Sequence, residues 1–525
     1  MKYTATLLGL LSLAGAQYPA GGGGGGRPGN GNGNGNPFPG RPGQPGPPRP
    51  PPGGPGPTRP PPPPPPPGTG PGGGGDEGFN PLEHLGANSP WFPGPNVFGI
   101  SPEAPEGCKV DQAVYIARHG SRYPDPGAYN GWLTLYETLQ AANFTATGPL
   151  AFLPDWEPVI DFPDQQLRQL SPGGYDELQT LGVELRTRYP GWYEYGSPFR
   201  VFSNDYERTV DSARLFARGY LGPNATTLGQ IHPILASDDS VVANSLATSD
   251  SCPTYDDRSG RGYADVWDSI YLPPIAERLN GFVTGDLNLT ADNVSNFPYL
   301  CGFETQITRR VSPFCAVFTP DEILQYEYRQ DLRYWYGTGP GSFRNTSVML
   351  PVIQGVVDLL QSGPDTPVKG AEPGQQDTVG PLSVAFTHDN QINQMASSLG
   401  IFDAQPPLAA DAMNSSRIYV SSRNNPMRGT VAFERLTCGA GATEDKYLRL
   451  LLNDAVYPVP ACSEGPGMSC PLQRYNEEVL ARKWAESGDF EEFCELPEGS
   501  VTTSETGGVT FFTDLTLAAI RTVQP

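Results

Sequence analysis

Lysine and histidine are scarce in this chain, and their scarcity narrows its chemistry. Five lysines and four histidines occur in 525 residues, and the formal net charge is −22. Nucleic acid needs a basic face to meet its phosphates, so this balance argues against a nucleic-acid partner. No Cys-x-x-Cys occurs, and four histidines are too few for a zinc site, so no metal is expected. Long apolar runs are missing too. Leu7 to Leu13 is too short to span a bilayer, and the C-terminus, ending Arg521-Thr522-Val523-Gln524-Pro525, offers no tail for a lipid anchor. No membrane association is expected.

What is present begins with a leader. Lys2, the apolar run Leu7 to Leu13 and the small residues Ala14-Gly15-Ala16 predict a secretory signal peptide over 1–16. Residues 17–75 are nearly all Gly, Pro and Asn, with Gly21 to Gly26 and an unbroken proline run from Pro60 to Pro67. Such a segment has little apolar surface to bury, so it reads as a disordered linker, flexible first and polyproline-like later. Its plain role is a spacer or glycan-bearing stalk, and its sharper one is attachment to a cell wall. The remainder, 76–525, is large enough for a main domain with a second, inserted subdomain.

Eight cysteines in an exported chain suggest four disulfides, with 105 connectivities open. Sequons at Asn143, Asn224, Asn288, Asn293, Asn345 and Asn414 are N-glycosylation candidates, although a sequon also arises readily by chance. Most of the cationic charge is arginine, and an acidic surface suits work in acid, where carboxylates become protonated and self-repulsion falls.

Chemistry concentrates at Arg118-His119-Gly120-Ser121-Arg122-Tyr123-Pro124, which follows the apolar run Ala113-Val114-Tyr115-Ile116-Ala117. A neutral imidazole can attack phosphorus, and guanidinium forks match phosphate oxygens. Glycine after the histidine is expected to permit a sharp turn and close substrate approach. His388-Asp389 likewise follows an apolar run, Leu382 to Thr387. Two strands that each deliver a histidine at the C-terminal end fit the ligand edge of an open α/β sheet.

The surrounding pattern alternates strands and helices. Ser171-Pro172 opens a helix running to Tyr189, and Phe199 to Phe202 is a short strand. Ser203 is read as the cap of a helix reaching about Tyr220, which sets Arg208 near that helix's N-terminus. Asp389 to Leu399 is a helix closed by Gly400, where Asp389 could serve only as a cap. Late strands are expected at Arg417 to Ser421, Thr430 to Leu436 and Tyr447 to Leu452. Taken alone, Arg208 reads as a helix-face arginine paired with Asp205 or Asp211. His232, before Pro233, is assigned no role.

The two histidine motifs resemble those of the histidine acid phosphatases, in particular the secreted fungal phytase-like branch. Ser312-Pro313-Phe314-Cys315, Phe318-Thr319-Pro320-Asp321-Glu322, Tyr336-Gly337-Thr338-Gly339 and Leu452-Asn453-Asp454 extend the likeness over roughly Ser101 to Cys494. The resemblance implies an α/β fold, phosphoglycerate mutase-like, with a mixed sheet flanked by helices. It also implies a mainly α-helical subdomain inserted at roughly 128–198 and 240–345. It implies the disulfides Cys108–Cys438, Cys252–Cys494, Cys301–Cys315 and Cys462–Cys470, and no cofactor.

It further implies roles. His119 would attack the phosphorus of a monoester and become a phosphohistidine. Arg118, Arg122, Arg208 and His388 would hold the phosphate oxygens, and Asp389 would protonate the leaving group, which requires a neutral carboxyl. Arg208 then sits where the family places its third arginine. Small-molecule phosphate monoesters, phytate among them, are the implied partners. The residues after the first motif, Asp125 to Trp132, lack the lysines typical of phytases in this branch, and Tyr334, beside Arg333, stands near another substrate lysine's place. A pocket poorer in cations favours simple monoesters. Three alternatives stay open: a true phytase, a phosphate-transferring mutase relative, and a non-enzymatic cell-wall protein with a Pro-rich stalk.

Overall fold

The computed structural model describes residues 78–236, 242–439 and 444–523, without the side chains at 343 and 345. The leader at 1–16, the linker at 17–75 and the side chain of the Asn345 sequon lie outside the described residues.

Ten strands occur among the described residues, in chain order: β1 (Cys108–Arg118), β2 (Phe144–Ala146), β3 (Phe199–Asn204), β4 (Gly229–Ile234) and β5 (Val283–Gly285), then β6 (Leu382–Thr387), β7 (Thr430–Cys438), β8 (Asp445–Leu452), β9 (Ala455–Val456) and β10 (Cys470–Pro471). Eight form one mixed sheet in the order β10-β8-β7-β1-β6-β3-β4, with β9 paired to β8, and β2 pairs with β5 in a separate ribbon. β1, β6, β3 and β4 run parallel, whereas β7, β8 and β10 are antiparallel. β1 lies at the junction of the two halves.

The apolar run in β1 reflects burial on both faces, because successive side chains point to opposite sides. Val114 and Ile116 join one core, and Ala113, Tyr115 and Ala117 join the other. The longer helices are α1 (Pro126–Ala141), α2 (Pro172–Arg188), α3 (Glu207–Leu221), α4 (Arg261–Asn280), α5 (Phe297–Thr308), α6 (Pro320–Gly337), α7 (Leu350–Ser362) and α8 (Asp389–Ser398). α2 and α3 close one face through Leu178, Leu181, Phe216 and Tyr220. The other core takes Val352 and Ile353 of α7, Ile392 and Met395 of α8, and apolar residues of α1, α4, α5 and α6. The free edge of β4 is covered by the C-terminal segment, where Ile231 bridges Val523 and Ile234 bridges Ile520.

The bonded cysteine pairs are Cys108–Cys438, Cys252–Cys494, Cys301–Cys315 and Cys462–Cys470. The first joins residues directly opposite in β1 and β7. Among the sequons, Asn143, Asn288 and Asn414 are exposed, and Asn224 and Asn293 are half-buried.

Two local expectations fail. Arg417 to Ser421 is not a strand; it runs irregularly into a short helix, Ser421–Asn424. Side chains, not a neighbouring strand, take its backbone donors: Ile418 N donates to Gln405 Oε1 and Ser421 N to Asp331 Oδ1. Nor does Ser203 cap a helix. It pairs with Pro233 inside β3, and α3 starts only after Tyr206, without a side-chain cap.

Gly174 in the first turn of α2 faces the loop after β1 so closely that a Cβ there would collide with the Ser121 carbonyl oxygen. Gly174→Ala is therefore expected to destabilise the fold by about 1–3 kcal/mol, measured by urea unfolding against wild type. An unchanged midpoint would show that the loop yields freely.

Candidate active site

Three parallel strands end at one edge of the sheet. Arg118 at the end of β1 is level with Thr387 at the end of β6, and Ser203 of β3 pairs with Phe386 of β6. The residues that follow therefore converge: His119 after β1, His388 and Asp389 after β6, and Arg208 after β3. His119 is held by its backbone, its N–H donating to Thr387 O and its carbonyl accepting from Arg428 N–H. The rings of His119 and His388 lie 5.6 Å apart between centroids.

The state of His119 follows from its surroundings. Its Nδ1 lies 2.9 Å from the Gly120 carbonyl oxygen, which can only accept, so the proton sits on Nδ1 and the lone pair on Nε2. Burial, then the charges of Arg118, Arg208 and Arg122, hold its pKa well below the ordinary 6.5. The imidazole stays neutral in acid.

Each arginine is tethered differently. Arg118, 1 % exposed, donates from Nη1 to the carbonyl oxygens of Ala87 and Asn425, and its Nη2 lies 3.8 Å from Asp389 Oδ2. Arg122 donates to Tyr123 O and to Asp125 Oδ2. Arg208 pairs with neither Asp205 nor Asp211; its Nη2 donates to His388 Nδ1 at 3.2 Å, while Asp211 binds Arg214. Burial and the neighbouring Arg122 push Arg208 down to about 10. The Nε atoms of all three guanidiniums are buried without an acceptor. A buried cationic donor left unpaired is costly, so the cluster suits an anion.

His388 accepts from Arg208 at Nδ1, so its Nε2 carries the proton and donates to Asn204 Oδ1. Burial and Arg208 push its pKa down to about 3. His388 itself occupies the cap position of α8, and Asp389 is the helix's first residue. Asp389 therefore does more than cap: its Oδ2 accepts from Tyr334 Oη at 2.7 Å and faces Arg118. Burial would raise its pKa, but Arg118, the Tyr334 hydrogen bond, Arg122 and Arg333 prevail and hold it far below the ordinary carboxylate range. The neutral carboxyl that the general-acid role requires is therefore not its resting state. It is ionised at rest, and its side chain is 26 % exposed.

Gly120 also serves differently from expectation. Its φ is not positive, and a Cβ there would lie 2.8 Å from both Gly174 O and Leu178 Cδ1. It is small so that α2 can pack against the loop. Ser121, fully buried, ties the same contact: its N–H and its hydroxyl donate to the two carboxylate oxygens of Glu177 at 2.7 Å each. Glu177, Asn204 and the engagement of Tyr334 were not legible as site features, because each lies on a different element and carries no motif. His232 is a buried strand residue within reach of Thr522 Oγ1.

Residues 109–453 match the model of the histidine phosphatase superfamily, branch 2. An acid phosphatase of Komagataella pastoris is 32 % identical over 437 residues, covering 81 % of this chain and 88 % of the relative. A phytase of Candida albicans is 29 % identical, covering 77 % and 85 %. The crystal structure of the phytase from D. castellii superposes with a TM-score of 0.71 at 27 % identity, covering 83 % of this chain and 90 % of that one. With the motif histidines at the ends of β1 and β6, and a family match over most of the described sheet, the chain belongs to the histidine phosphatase superfamily, branch 2.

Proposed function

We propose that this chain is an acid phosphatase that hydrolyses phosphate monoesters through a phosphohistidine on His119. The observation that carries the reading is the neutral imidazole, with its Nε2 lone pair free, beside three guanidiniums whose buried Nε–H groups lack acceptors. An incoming phosphate would satisfy those donors. His119 Nε2 would form a bond to phosphorus as the ester P–O bond breaks. Arg118, Arg122, Arg208 and His388 would stabilise the charge on the non-bridging oxygens.

Asp389 supplies the proton. The phosphate's negative charge offsets the arginines that keep the empty site's carboxylate ionised, so substrate binding raises the pKa of Asp389. The protonated carboxyl then transfers its proton to the departing alkoxide. In the second step the carboxylate takes a proton from water as that water attacks phosphorus, releasing inorganic phosphate and His119.

Simple monoesters are the favoured substrates. Asp125 occupies one face of Arg122 at 2.8 Å, and no lysine occurs between Asp125 and Trp132. Relatives named acid phosphatase and relatives named phytase both match, so phytate hydrolysis is the second reading. The domain reading has a leader over 1–16, a linker over 17–75 and a catalytic region over 76–525. The helical insertions at roughly 128–198 and 240–345 are supported by α1, α4, α5 and α6, whereas α2, inside the first range, packs on the sheet. Composition supports export, with the linker as a spacer, and cell-wall attachment as its extension. No helix among the described residues is long and apolar enough to cross a membrane.

Five outcomes test this. His119→Ala should abolish turnover, by roughly 10³-fold or more. Acid-labile phosphoenzyme should be trapped from wild type but not from the variant. Because neutral His119 has its pKa lowered, the acid limb of kcat/KM should fall well below pH 6.5; a limb near the ordinary histidine value would contradict the assignment. Asp389→Asn should slow alkyl phosphates by about 10²–10⁴-fold while activated aryl phosphates lose far less. Phosphate release compared at acidic pH should favour a simple aryl phosphate over phytate in kcat/KM, and the reverse order would make the chain a phytase.

A further inference from the structure

Tyr334 stands out because the mechanism above leaves it unused. It is 4 % exposed on α6, far in sequence from both histidine motifs, yet its hydroxyl reaches Asp389. Its backbone carbonyl accepts from Asn393 Nδ2 on α8, which also donates to Thr338, and Asn393 Oδ1 accepts from Tyr419. The Arg333 guanidinium lies 5.0 Å from the centre of its ring. The phenol is thus fixed from several sides and aimed at one carboxylate oxygen.

We propose that Tyr334 is the positioning residue for Asp389, holding Oδ2 with an uncharged donor so that Oδ1 is the oxygen that gains and delivers the proton. The proposal rests on the reading of Asp389 as the proton donor. Both contacts of the carboxylate, from Tyr334 Oη and from Arg118 Nη2, fall on Oδ2, and no hydrogen bond among the described residues reaches Oδ1. A carboxyl that protonates on one defined oxygen presents its O–H in one direction, which general-acid transfer requires.

The neutrality of the donor matters as much as its place. The groups acting on this carboxyl are Arg118 and Arg122 at the end of β1, Arg333 on α6 and Arg208 on α3. His388 adjoins it, and Tyr255 and Asp257 lie on the segment before α4. His119 shares Arg118, Arg122 and Arg208. Another full positive charge on Oδ2 would bind the carboxylate more firmly and oppose its protonation when substrate arrives. A phenol that stays protonated, because burial and Asp389 both raise its pKa, donates without adding charge. Tyr334 therefore permits a carboxyl that is ionised at rest and neutral in the complex.

Tyr334→Phe removes the hydroxyl and keeps the ring. For alkyl phosphates, kcat should fall by about tenfold, as expected for a lost hydrogen bond to a charged group, with KM within about twofold of wild type. For an activated aryl phosphate, kcat should change less than about threefold. Losing a donor to the carboxylate raises the pKa of Asp389, so the alkaline limb of kcat should move to higher pH. Equal losses on both esters with an unmoved alkaline limb would reduce Tyr334 to a packing residue and overturn the proposal, as would unchanged kinetics. Near-ultraviolet circular dichroism and inorganic phosphate affinity, both expected to match wild type, check that the variant is folded. His119→Ala, assayed in parallel, separates the two levels: turnover by that variant defeats the phosphohistidine reading, whereas wild-type behaviour of Tyr334→Phe alone defeats only this one.

Discussion

Three arginine side chains crowded beside one histidine at the end of β1 set the terms for the rest of this site. Two like charges 4 Å apart repel by about 4 kcal/mol at an effective dielectric of 20, and burial removes the water that would screen them. The fold meets this with partial neutralisation. Arg118 has two backbone carbonyls and Asp389, Arg122 has Asp125, and Arg208 has the neutral His388 and the ring of Tyr206. Burial and the remaining positive field depress His119 and His388, and that field holds Asp389 ionised. On the proposed function, nucleophile, anion site and dormant acid would all follow from a single electrostatic arrangement.

The sheet makes that arrangement possible. β1 must carry apolar residues on both faces because α2 and α3 cover one side and α7 and α8 the other. It must also sit between a parallel neighbour and an antiparallel one. The parallel neighbour brings His388 level with His119, and β3 beyond it brings Asn204 and Arg208. The antiparallel side supplies Gly429 and Arg428, whose backbone groups bracket Arg118 and His119. Gly120, Gly174 and the Ser121–Glu177 contacts then lock the loop onto α2.

Contiguity decides what could be read in advance. Arg118 to Pro124 and His388-Asp389 are legible because each compresses several chemical groups into a few residues behind an apolar run. Strands β1, β3, β6, β7 and β8 show for the same reason, being local patterns of burial. Long-range partners leave no such trace: Glu177 lies 56 residues from Ser121, and Tyr334 lies 55 from Asp389. Arg417 to Ser421 misled because its β-branched and aromatic residues resemble a strand, whereas Arg417 and Tyr419 are buried by contacts with Asp331 and Asn393. Ser203 misled because sequence alone does not show that strand pairing continues through Asn204.

The same electrostatics bear on which esters the site would turn over. A carboxyl that becomes an acid only when phosphate arrives ties proton delivery to substrate charge. In the proposed mechanism one phosphoryl group would meet three guanidiniums and shift that balance. Further phosphates on a ring would need additional cations beyond the cluster, yet the residues after the motif place Asp125 on Arg122 and contain no lysine. On the side of Asp389, the nearest extra cation is Arg333, which already faces Tyr334 and Asp389. On the proposed function, the charge that would grip a polyphosphate is engaged by Tyr334 and Asp389, which favours a substrate with a single phosphate.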